Sequence, residues 1–337
     1  MKVAVLMSGG VDSTVAAILL KEQGHDLIGL TMINLDEDVA LKAKEAADAI
    51  GIAHQVIDLK EVFGKRVIDY FCRTYEKGDT PNPCVECNKY IKFGALLDTA
   101  LELGMERVAT GHYVRTEFNP DTKRHVIKKA RDLSKDQSYF LYGLTQEQLA
   151  RSIFPLGEFT KKEVRELARQ KGLKVAESQE SQEICFIAKD YRDFIADKVS
   201  YKLGPVVDLQ NNLLGEHKGL PFYTIGQRKG LGISAGRPIY VVDLDTENNK
   251  IIVDDEINLM RGTLAARDNN FIYMEKLQEP LAVEVKIRYK AALAPATIYP
   301  AGDLVKVEFA HPQRAITRGQ SVVYYVGDYV LGGGIIV

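Results

Sequence analysis

The segment that decides the fold is Lys2-Val3-Ala4-Val5-Leu6-Met7-Ser8-Gly9-Gly10-Val11-Asp12-Ser13. Residues 2–7 are mostly apolar and include β-branched side chains, which predicts a short buried strand. Two glycines interrupt the strand, and residues 12–22 then carry apolar side chains at helical spacing until Gly24 ends the helix. Glycines let a backbone approach a ligand closely, and amides at a helix N-terminus favour an anion. We therefore expect residues 8–13 to bind phosphate groups.

The residues that follow continue an alternation of strands and helices. Predicted strands cover 26–33, 53–59 and 107–110, and predicted helices cover 38–50, 62–75 and 89–103. This order predicts a doubly wound parallel α/β sheet, in which ligands bind beyond the carboxyl ends of the strands. After about residue 191 the pattern changes to short strands, at 283–289, 296–299, 304–309 and 321–325. Their close spacing predicts a small antiparallel barrel or sandwich.

The composition excludes several classes of protein. The chain has 337 residues, of which 46% are hydrophobic and 27% charged, as in ordinary globular proteins. No apolar run approaches the ~18 residues that a membrane span needs, and the first apolar run is too short for a signal peptide. Four cysteines are too few for a disulfide scaffold. We therefore expect a soluble, cytoplasmic protein of about two or three domains.

Charge is balanced over the whole chain but not locally. The formal net charge of −2 argues against a protein that coats nucleic acid by bulk charge. Between Lys123 and Lys135, however, lie six basic residues and one acid. From charge alone we interpret this stretch as a solvent-exposed hairpin. Lys286, Arg288 and Lys290 alternate along a predicted strand, so they are expected to share a face, which is a candidate track for a phosphate backbone. From the residues alone we interpret Arg288 and Tyr289 as part of a solvated strand.

The glycine turn differs from two familiar nucleotide motifs. It has neither the Gly-Lys-Ser/Thr of a Walker loop nor the Gly-x-Gly-x-x-Gly of the dinucleotide fingerprint. Ser8-Gly-Gly-Val-Asp-Ser13 instead resembles the PP-loop of the ATP pyrophosphatases, a superfamily that splits ATP between its α and β phosphates and adenylates a carbonyl oxygen. The resemblance implies that the loop holds pyrophosphate. It also implies that Asp12 lies near the phosphates and a Mg²⁺ ion, which stabilises the charged leaving group.

Further motifs, in a fixed order, narrow the resemblance. They lie at residues 80–88 (Thr-Pro-Asn-Pro-Cys-Val-Glu-Cys-Asn), 91–93 (Ile-Lys-Phe), 109–113 (Ala-Thr-Gly-His-Tyr), 135–141 (Lys-Asp-Gln-Ser-Tyr-Phe-Leu), 154–157 (Phe-Pro-Leu-Gly), 184–187 (Ile-Cys-Phe-Ile), 219–233 and 331–336. From Lys2 to Val337 this set resembles the family of tRNA-specific 2-thiouridylases. The resemblance implies a PP-loop domain with the doubly wound sheet (residues 1–198), a small central domain (199–262) and a C-terminal antiparallel β-barrel that contacts tRNA (263–337).

The resemblance also implies a reaction and its partners. The enzyme, a transferase, would use ATP to adenylate O2 of the wobble uridine and would release pyrophosphate. A cysteine persulfide would then deliver sulfur to C2, giving 2-thiouridine and AMP, because adenylation supplies the leaving group that an amide-like carbonyl lacks. The implied partners are tRNAs that read Lys, Glu and Gln codons, and a cysteine desulfurase or a sulfur-relay protein.

Family roles transfer onto the matching residues. Cys185 would carry the persulfide, Cys87 would be the nucleophile that helps to release the sulfur, and Asp12 would act at the phosphates. The residues implied in ATP binding are Leu6, Met7, Ser8, Gly9, Gly10, Val11, Asp12, Ser13, Met32 and Gly111. The residues implied in contact with the target base or the tRNA are Asn82, Pro83, Cys84, His112, Lys135, Asp136, Gln137, Arg288, Tyr289 and Gln320.

Two motifs depart from the family pattern around the cysteines. Where the family has Asn-Pro-Asp-x-x-Cys, Cys84 replaces the aspartate, and the usual Ser-Thr-Gly-Ile-Cys-Phe is Ser181-Gln-Glu-Ile-Cys185-Phe. Three thiols would converge if Cys185 folds over Cys84 and Cys87. Cys84 is then a spare thiol, a ligand of a structural zinc completed by Cys72, or, with Cys87 and Cys185, a ligand of a [4Fe–4S] cluster whose open iron carries hydrosulfide.

These hypotheses leave alternatives open. The persulfide relay and the cluster both fit the three cysteines, whereas Cys72 lies in an amphipathic helix and is interpreted as core packing. Outside the thiouridylase family, the alternative functions are a small-molecule synthetase of the PP-loop superfamily and a non-catalytic nucleotide sensor.

Overall fold

The computed structural model describes residues 1–33, 38–177, 184–187, 190–233 and 236–337. Residues 181–183, the first half of the second departing motif, therefore lie outside the described residues. The N-terminal part contains strands β1 (Lys2–Leu6), β2 (Asp26–Ile33), β3 (Ala53–Asp58), β4 (Arg107–Ala109), β5 (Arg115–Asn119), β6 (Arg124–Lys128) and β7 (Ser152–Ile153). Its helices are α1 (Val11–Glu22), α2 (Asp38–Ile50), α3 (Lys60–Phe63), α4 (Asp69–Glu76), α5 (Pro83–Glu86), α6 (Leu96–Glu102), α7 (Gln146–Ala150) and α8 (Lys161–Gln170).

Short helical segments complete this part of the chain. Two π-helical segments, Gly64–Ile68 and Cys87–Ala95, join α3 to α4 and α5 to α6. Two 3₁₀ turns cover Ser138–Phe140 and Lys174–Glu177. Across the ranges that the structure describes, every helix is too short or too polar to cross a membrane.

Five of the strands form a parallel sheet in the order β3-β2-β1-β4-β7. The first strand lies at its centre because it is apolar on both faces. Val3 and Val5 pack in one cluster with small residues of α1 and α2, such as Ala17, whereas Ala4 packs in another cluster with Phe93. A parallel strand buried on both faces is expected to be a continuous apolar run. The predicted doubly wound sheet is therefore confirmed.

The helices that carry the cysteines differ from the prediction. The helix expected at 89–103 begins earlier, at Pro83, directly after Asn82. Proline suits the first turn of a helix because its φ is already helical and its missing N–H has no partner to lose there. Cys84 and Cys87 consequently lie on a helix and not in a loop. The helix expected at 62–75 extends from Lys60 to Glu76 and includes a π-helical segment.

The C-terminal part contains one helix and ten strands among its described residues. They are α9 (Tyr191–Ile195), β8 (Gly204–Val207), β9 (Leu213–His217), β10 (Tyr240–Asp245), β11 (Lys250–Asp254), β12 (Met260–Phe271), β13 (Leu281–Lys286), β14 (Ala294–Ala301), β15 (Leu304–Arg314), β16 (Ser321–Val326) and β17 (Tyr329–Ile336). The 3₁₀ turns Leu220–Phe222 and Glu256–Leu259 lie between them. Strands β8 to β11 form a sheet of their own, which we call the central sheet.

The last six strands close into an antiparallel barrel, as predicted. Their order is β12-β15-β14-β13-β16-β17, and β17 pairs back with β12. One detail of the prediction is wrong. The strand expected at 283–289 ends at Lys286, and a turn follows in which Ala291 N–H donates to Arg288 O at 3.1 Å. Because the strand ends at Lys286, neither Arg288 nor Lys290 continues its alternation.

Strands β5 and β6 form the hairpin that was predicted in the basic stretch. The hairpin leaves the N-terminal part and pairs with β17 of the barrel. Two of its basic side chains are used internally, which the expectation of a solvent-exposed face did not foresee. Arg124 Nε donates to Ile272 O at 2.7 Å, and Lys129 Nζ donates to Gly327 O at 2.8 Å. These two residues therefore fasten the hairpin to the barrel.

Candidate active site

The glycine turn between β1 and α1 has a fixed shape. Gly9 has a φ of +71°, and a Cβ on it would lie 2.6 Å from Lys42 Cβ, so α2 leaves no room for a side chain. Ser13 Oγ accepts a hydrogen bond from Ser8 N–H at 3.2 Å and donates one to Gly10 O at 3.2 Å. The first amides of α1 have no intrahelical acceptor, so they suit an anion. The turn can therefore receive phosphate without rearranging.

Asp12, which the family role places at the phosphates, is already paired with a lysine. Lys161 Nζ donates to Asp12 Oδ1 at 2.7 Å and to Oδ2 at 2.8 Å. Tyr113 OH donates to Asp12 Oδ1 at 2.8 Å. The Lys161 side chain is 10% exposed and that of Asp12 33%, so the pair is shielded from most solvent. The negative charge of Asp12 in the phosphate loop is therefore balanced by the positive charge of Lys161.

Lys161 is a candidate site residue that sequence reasoning missed. It is the first residue of α8, whose N-cap Thr160 forms a capping box with Glu163. Its own N–H donates to Asp132 Oδ2 at 3.0 Å. A cation is unfavourable at a helix N-terminus because the helix dipole is positive there. A lysine at the first position of a capped helix is therefore a sequence signal that its side chain has a partner outside that helix.

The other residues expected to bind ATP lie at the carboxyl edge of the sheet. Leu6 ends β1, Met7 follows it, and Met32 lies on the neighbouring β2. Gly111 follows β4, and a Cβ on it would lie 2.8 Å from the carbonyl carbon of Asp12. Gly111 therefore packs against the first turn of α1. This contact joins the 109–113 motif to the phosphate loop.

The three predicted thiols lie within electrostatic reach of one another. Cys84 lies on α5, and Cys87 begins the π-helical segment that continues it. Cys185 lies in the described segment 184–187, which Phe186 anchors by packing edge-on against Phe71 with ring centroids 5.3 Å apart. Burial, and to a smaller extent the neighbouring Cys185, raises the pKa of Cys84 and of Cys87, so the three sulfurs interact.

Burial keeps these thiols protonated. It raises the pKa of Cys84 to about 11 and that of Cys87 to about 12. Cys185 is an exposed residue, but partial desolvation of its sulfur also raises its pKa. Lys92 acts in the opposite direction on the pKa of all three thiols, so its ammonium lies within electrostatic reach of them. Since the thiolate is the reactive form of cysteine, the resting site is chemically quiet at neutral pH.

This arrangement does not fit a metal centre. Within the part of the chain that the structure describes, no group of three or more His, Cys, Asp or Glu side chains could hold a metal ion. Cys72, the expected fourth zinc ligand, packs in the core with Phe71 and Tyr75, which confirms its interpretation as core packing. The zinc hypothesis has no ligand set among these residues.

Lys92 is held in place by His112. Lys92 Nζ lies 3.5 Å from His112 Nε2, and His112 Nδ1 lies 2.8 Å from Thr110 Oγ1. Burial, and next Lys92, lowers the pKa of His112 well below its usual value, so the ring is neutral. Nε2 then accepts from the ammonium, and Nδ1–H donates to Thr110. His112 was expected at the tRNA, but it is buried and positions Lys92.

The 135–141 motif supports the phosphate loop from behind. Gln137 Oε1 accepts a hydrogen bond from Tyr113 N–H at 2.9 Å, and the hydroxyl of Tyr113 donates in turn to Asp12. Asp136 is buried and accepts bonds from nearby backbone and hydroxyl groups. Lys135 is half-buried. Asp136 and Gln137, which were expected to contact tRNA, therefore also form hydrogen bonds within the protein.

The remaining residues of the expected RNA surface differ in exposure. Arg288 is exposed just beyond β13, whereas Tyr289 packs on Phe140 with ring centroids 4.5 Å apart. Asn82 and Pro83 are buried at the start of α5. Of the residues expected at the base or the tRNA, Arg288 is the exposed one.

Three family models match the chain in succession. They are described as a tRNA methyl transferase HUP domain over residues 1–189, a tRNA methyl transferase PRC-barrel domain over residues 192–255, and an aminomethyltransferase beta-barrel domain over residues 261–336. The matches follow the parallel sheet, the central sheet and the barrel of the structure. Their descriptions name a methyl transferase, whereas the full-length relatives carry the name of a thiolating enzyme.

Two of these relatives match over the entire chain or nearly so. The tRNA-specific 2-thiouridylase MnmA of Syntrophomonas wolfei is 52% identical over 337 residues, covering 100% of both chains. The tRNA-specific 2-thiouridylase MnmA 1 of Caldanaerobacter subterraneus is 53% identical, covering 99% of this chain and 97% of its own. A solved complex of a 4-thiouridine synthetase with RNA and ATP is 18% identical over 55% of this chain and 44% of its own, with a TM-score of 0.35, a likeness too weak to carry a conclusion.

Replacing Lys92 by methionine is expected to slow alkylation of Cys87. Without the cation, burial is unopposed, so the pKa of the thiol rises and the thiolate fraction falls by about tenfold for each pKa unit. Iodoacetamide rates, resolved by peptide mass spectrometry, measure the change. In the wild type the rate should rise through the whole range from about pH 7 to about pH 10, because the pKa of Cys87 is about 12.

Lys89→Met is the matched control, since Lys89 lies on the same helical segment with its ammonium 5.0 Å from the centre of the Tyr90 ring. Its alkylation rate should equal that of the wild type. An equal slowing in the two variants would show that Lys92 has no special relation to the thiols.

Proposed function

The chain belongs to the family of tRNA-specific 2-thiouridylases, and on that premise we propose how its residues deliver sulfur to the wobble uridine. It is an ATP-dependent transferase that thiolates a uridine of tRNA. One observation carries the proposal. Gly111 packs against the phosphate loop, and the next residue, His112, bonds to Lys92, which lies within electrostatic reach of the thiols. Family membership leaves the small-molecule synthetase and the nucleotide sensor without support.

The first step is adenylation at the phosphate loop. Uracil O2 attacks the α phosphorus, the bond to the β phosphate breaks, and pyrophosphate leaves. The loop amides and Lys161 lie where negative charge develops on the leaving group, and preorganised donors of this kind lower the barrier. Mg²⁺, with Asp12 as its protein ligand, would neutralise further phosphate charge. As the phosphates arrive, Lys161 can turn from Asp12 to the pyrophosphate.

The second step is sulfur transfer from Cys185. Its exposed position lets a cysteine desulfurase or a relay protein load it as a persulfide. The terminal sulfur attacks C2 and displaces AMP, which leaves the base joined to Cys185 through two sulfurs. The Cys87 thiolate then attacks the sulfur atom of Cys185. The S–S bond breaks, 2-thiouridine departs, and a disulfide between Cys87 and Cys185 remains for a dithiol reductant to open.

In this scheme Lys92 stabilises the anions that form during sulfur transfer. A perthiolate at Cys185 and a thiolate at Cys87 are both anions, and the ammonium of Lys92 stabilises each of them. In the resting protein, burial keeps the pKa of Cys87 at about 12, so the thiol does not react before a partner is present. Cys84 is the spare thiol in this scheme. The thiols of the described residues form no metal-binding group, and the iron measurement below tests the cluster route directly.

The partners follow from the same site. The target base must leave the anticodon stack, at a cost of a few kcal/mol, and enter a pocket beside residues 82–84. Arg288, exposed at the end of β13, is placed to contact the RNA backbone. The acceptors we propose are tRNAs that read Lys, Glu and Gln codons. Because tRNA is the substrate, we propose that the enzyme works in the cytoplasm.

Lys161→Met is expected to lower the rate of pyrophosphate release by about 100-fold, because it removes a donor aimed at the leaving group. Pyrophosphate is measured in the presence of unmodified tRNA and ATP. Lys162→Met is the matched control, since Lys162 is the next residue of α8 and is exposed. If Lys161→Met released pyrophosphate at the wild-type rate, Lys161 would have no part in adenylation.

Cys185→Ser and Cys87→Ser are expected to abolish 2-thiouridine formation while pyrophosphate release continues. Both thiols act only after adenylation in the persulfide scheme. Cys84→Ala is expected to keep most of the thiolation, and anaerobically purified protein is expected to lack iron. Nucleoside mass spectrometry of the tRNA and metal analysis measure these outcomes. About four iron and four sulfide per chain, lost in Cys84→Ala, would instead establish the cluster route.

A further inference from the structure

A turn of the barrel packs tightly on the segment that leads into the cysteine helix. We call residues 317–321 the barrel turn and residues 78–82 the approach segment, which ends just before Pro83 and Cys84. Gly319 of the barrel turn has a φ of +84°, and a Cβ on it would lie 2.8 Å from Asp79 Cβ and 2.9 Å from Thr80 N. Neither the backbone angle nor the space admits a side chain. The two segments therefore meet backbone to backbone.

Hydrogen bonds fix this contact residue by residue. Thr80 N–H donates to Arg318 O at 2.8 Å. Gln320 Nε2 donates to Thr80 O at 3.2 Å and to Pro81 O at 2.9 Å. Asn82 Nδ2 donates to a serine hydroxyl of the barrel turn at 3.4 Å. Gln320, which was expected to touch tRNA, thus holds two consecutive carbonyls of the approach segment.

Arg318 adds the central sheet to the same junction. Its Nη2 donates to Leu244 O at 2.7 Å and lies 3.7 Å from Asp243 Oδ1, both on β10. Its Nε lies 3.6 Å from Asp79 Oδ1 in the approach segment. Burial raises the pKa of Asp79, and Arg318 acts against that rise, so the guanidinium helps to keep the carboxylate charged. One side chain therefore connects the barrel, the central sheet and the approach segment.

We propose that Gln320 and Arg318 are positioning residues for sulfur transfer, which hold the cysteine helix in place from the barrel. The proposal rests on the sulfur-transfer function proposed above. Neither side chain needs to touch a reacting atom. They act through the approach segment, so that the thiols reach the adenylated base only while the barrel and the central sheet are docked. Loosening the junction should spare adenylation, which occurs at the phosphate loop.

The test compares the two half-reactions in full-length Gln320→Leu and Arg318→Gln. Pyrophosphate release and 2-thiouridine formation are measured with tRNA, ATP, cysteine and a cysteine desulfurase. The yield of 2-thiouridine per pyrophosphate is expected to fall by about 100-fold, because a displacement of about 1 Å at a reacting group costs that much. The KM for tRNA should change little. A raised KM with an unchanged yield would overturn the proposal and make Gln320 a tRNA contact.

Arg314→Gln is the matched control. Arg314 also joins the barrel to the residues before it, through a 2.7 Å bond from Nε to Glu256 Oε1, but no bond connects it to the approach segment. The yield of 2-thiouridine per pyrophosphate in Arg314→Gln should match that of the wild type. An equal loss in Arg314→Gln would mean that any loosening of the barrel has the same effect, and the proposal would fail. Arg318→Lys replaces Arg318→Gln if the latter does not fold.

A second readout does not depend on activity. Alkylation of Cys84 and Cys87 by iodoacetamide is expected to be at least about tenfold faster in Gln320→Leu than in the wild type, because the freed helix exposes its thiols. Unchanged alkylation would overturn the positioning role. If the wild type formed no 2-thiouridine, the proposed function would fail, and the alkylation rates would still decide whether the barrel turn holds the cysteine helix.

Discussion

The close approach of Gly111 to the first turn of α1 is the contact on which the site depends. A single Cβ at this position would lie 2.8 Å from the backbone of the phosphate loop, so the end of β4 and the start of α1 can meet only through a glycine. The residue that follows, His112, bonds to Lys92. Two adjacent residues after β4 therefore connect the phosphate loop to the lysine near the thiols, which in the proposed mechanism are the sites of adenylation and of sulfur transfer.

Lys161 and Lys92 belong to different steps of the proposed mechanism, the first to adenylation and the second to sulfur transfer. Lys161 meets the phosphate loop with its charge compensated by Asp12, whereas the bond of Lys92 is to an imidazole that burial keeps neutral. The first pair can exchange partners when phosphates arrive, because a carboxylate and a phosphate compete for the same ammonium. The second keeps its positive charge directed at sulfurs that are protonated at rest. Each cation is thus placed before the anion that it stabilises has formed, which is how preorganised sites lower barriers.

The sequence was informative wherever a pattern is local. The apolar run of β1 predicted a central strand, and the glycine turn predicted the phosphate loop, because both depend on neighbouring residues. The helix that carries Cys84 and Cys87 was predicted to begin at residue 89, which is too late. Proline is typical of the first turn of a helix, so Pro83 itself indicated the earlier start. The roles of Lys129, Lys161 and Gln320 were not predictable in this way. Their partners lie far away in the chain, and charge alone does not distinguish a side chain that faces RNA from one that fastens two parts of a protein.

The replacement of the family's aspartate by Cys84 has a consequence for Lys92. An ionised carboxylate at this position would compensate the ammonium of Lys92, which lies within electrostatic reach of Cys87 and Cys185. Burial instead raises the pKa of Cys84 to about 11, so this thiol stays neutral and leaves the charge of Lys92 uncompensated from that side. The ammonium of Lys92 then stabilises whichever of the Cys87 and Cys185 sulfurs ionises first. In the proposed persulfide scheme, loading Cys185 is the event that places an anion near Lys92, because a persulfide is more acidic than a thiol. That scheme predicts a site that becomes reactive only after its sulfur has been delivered.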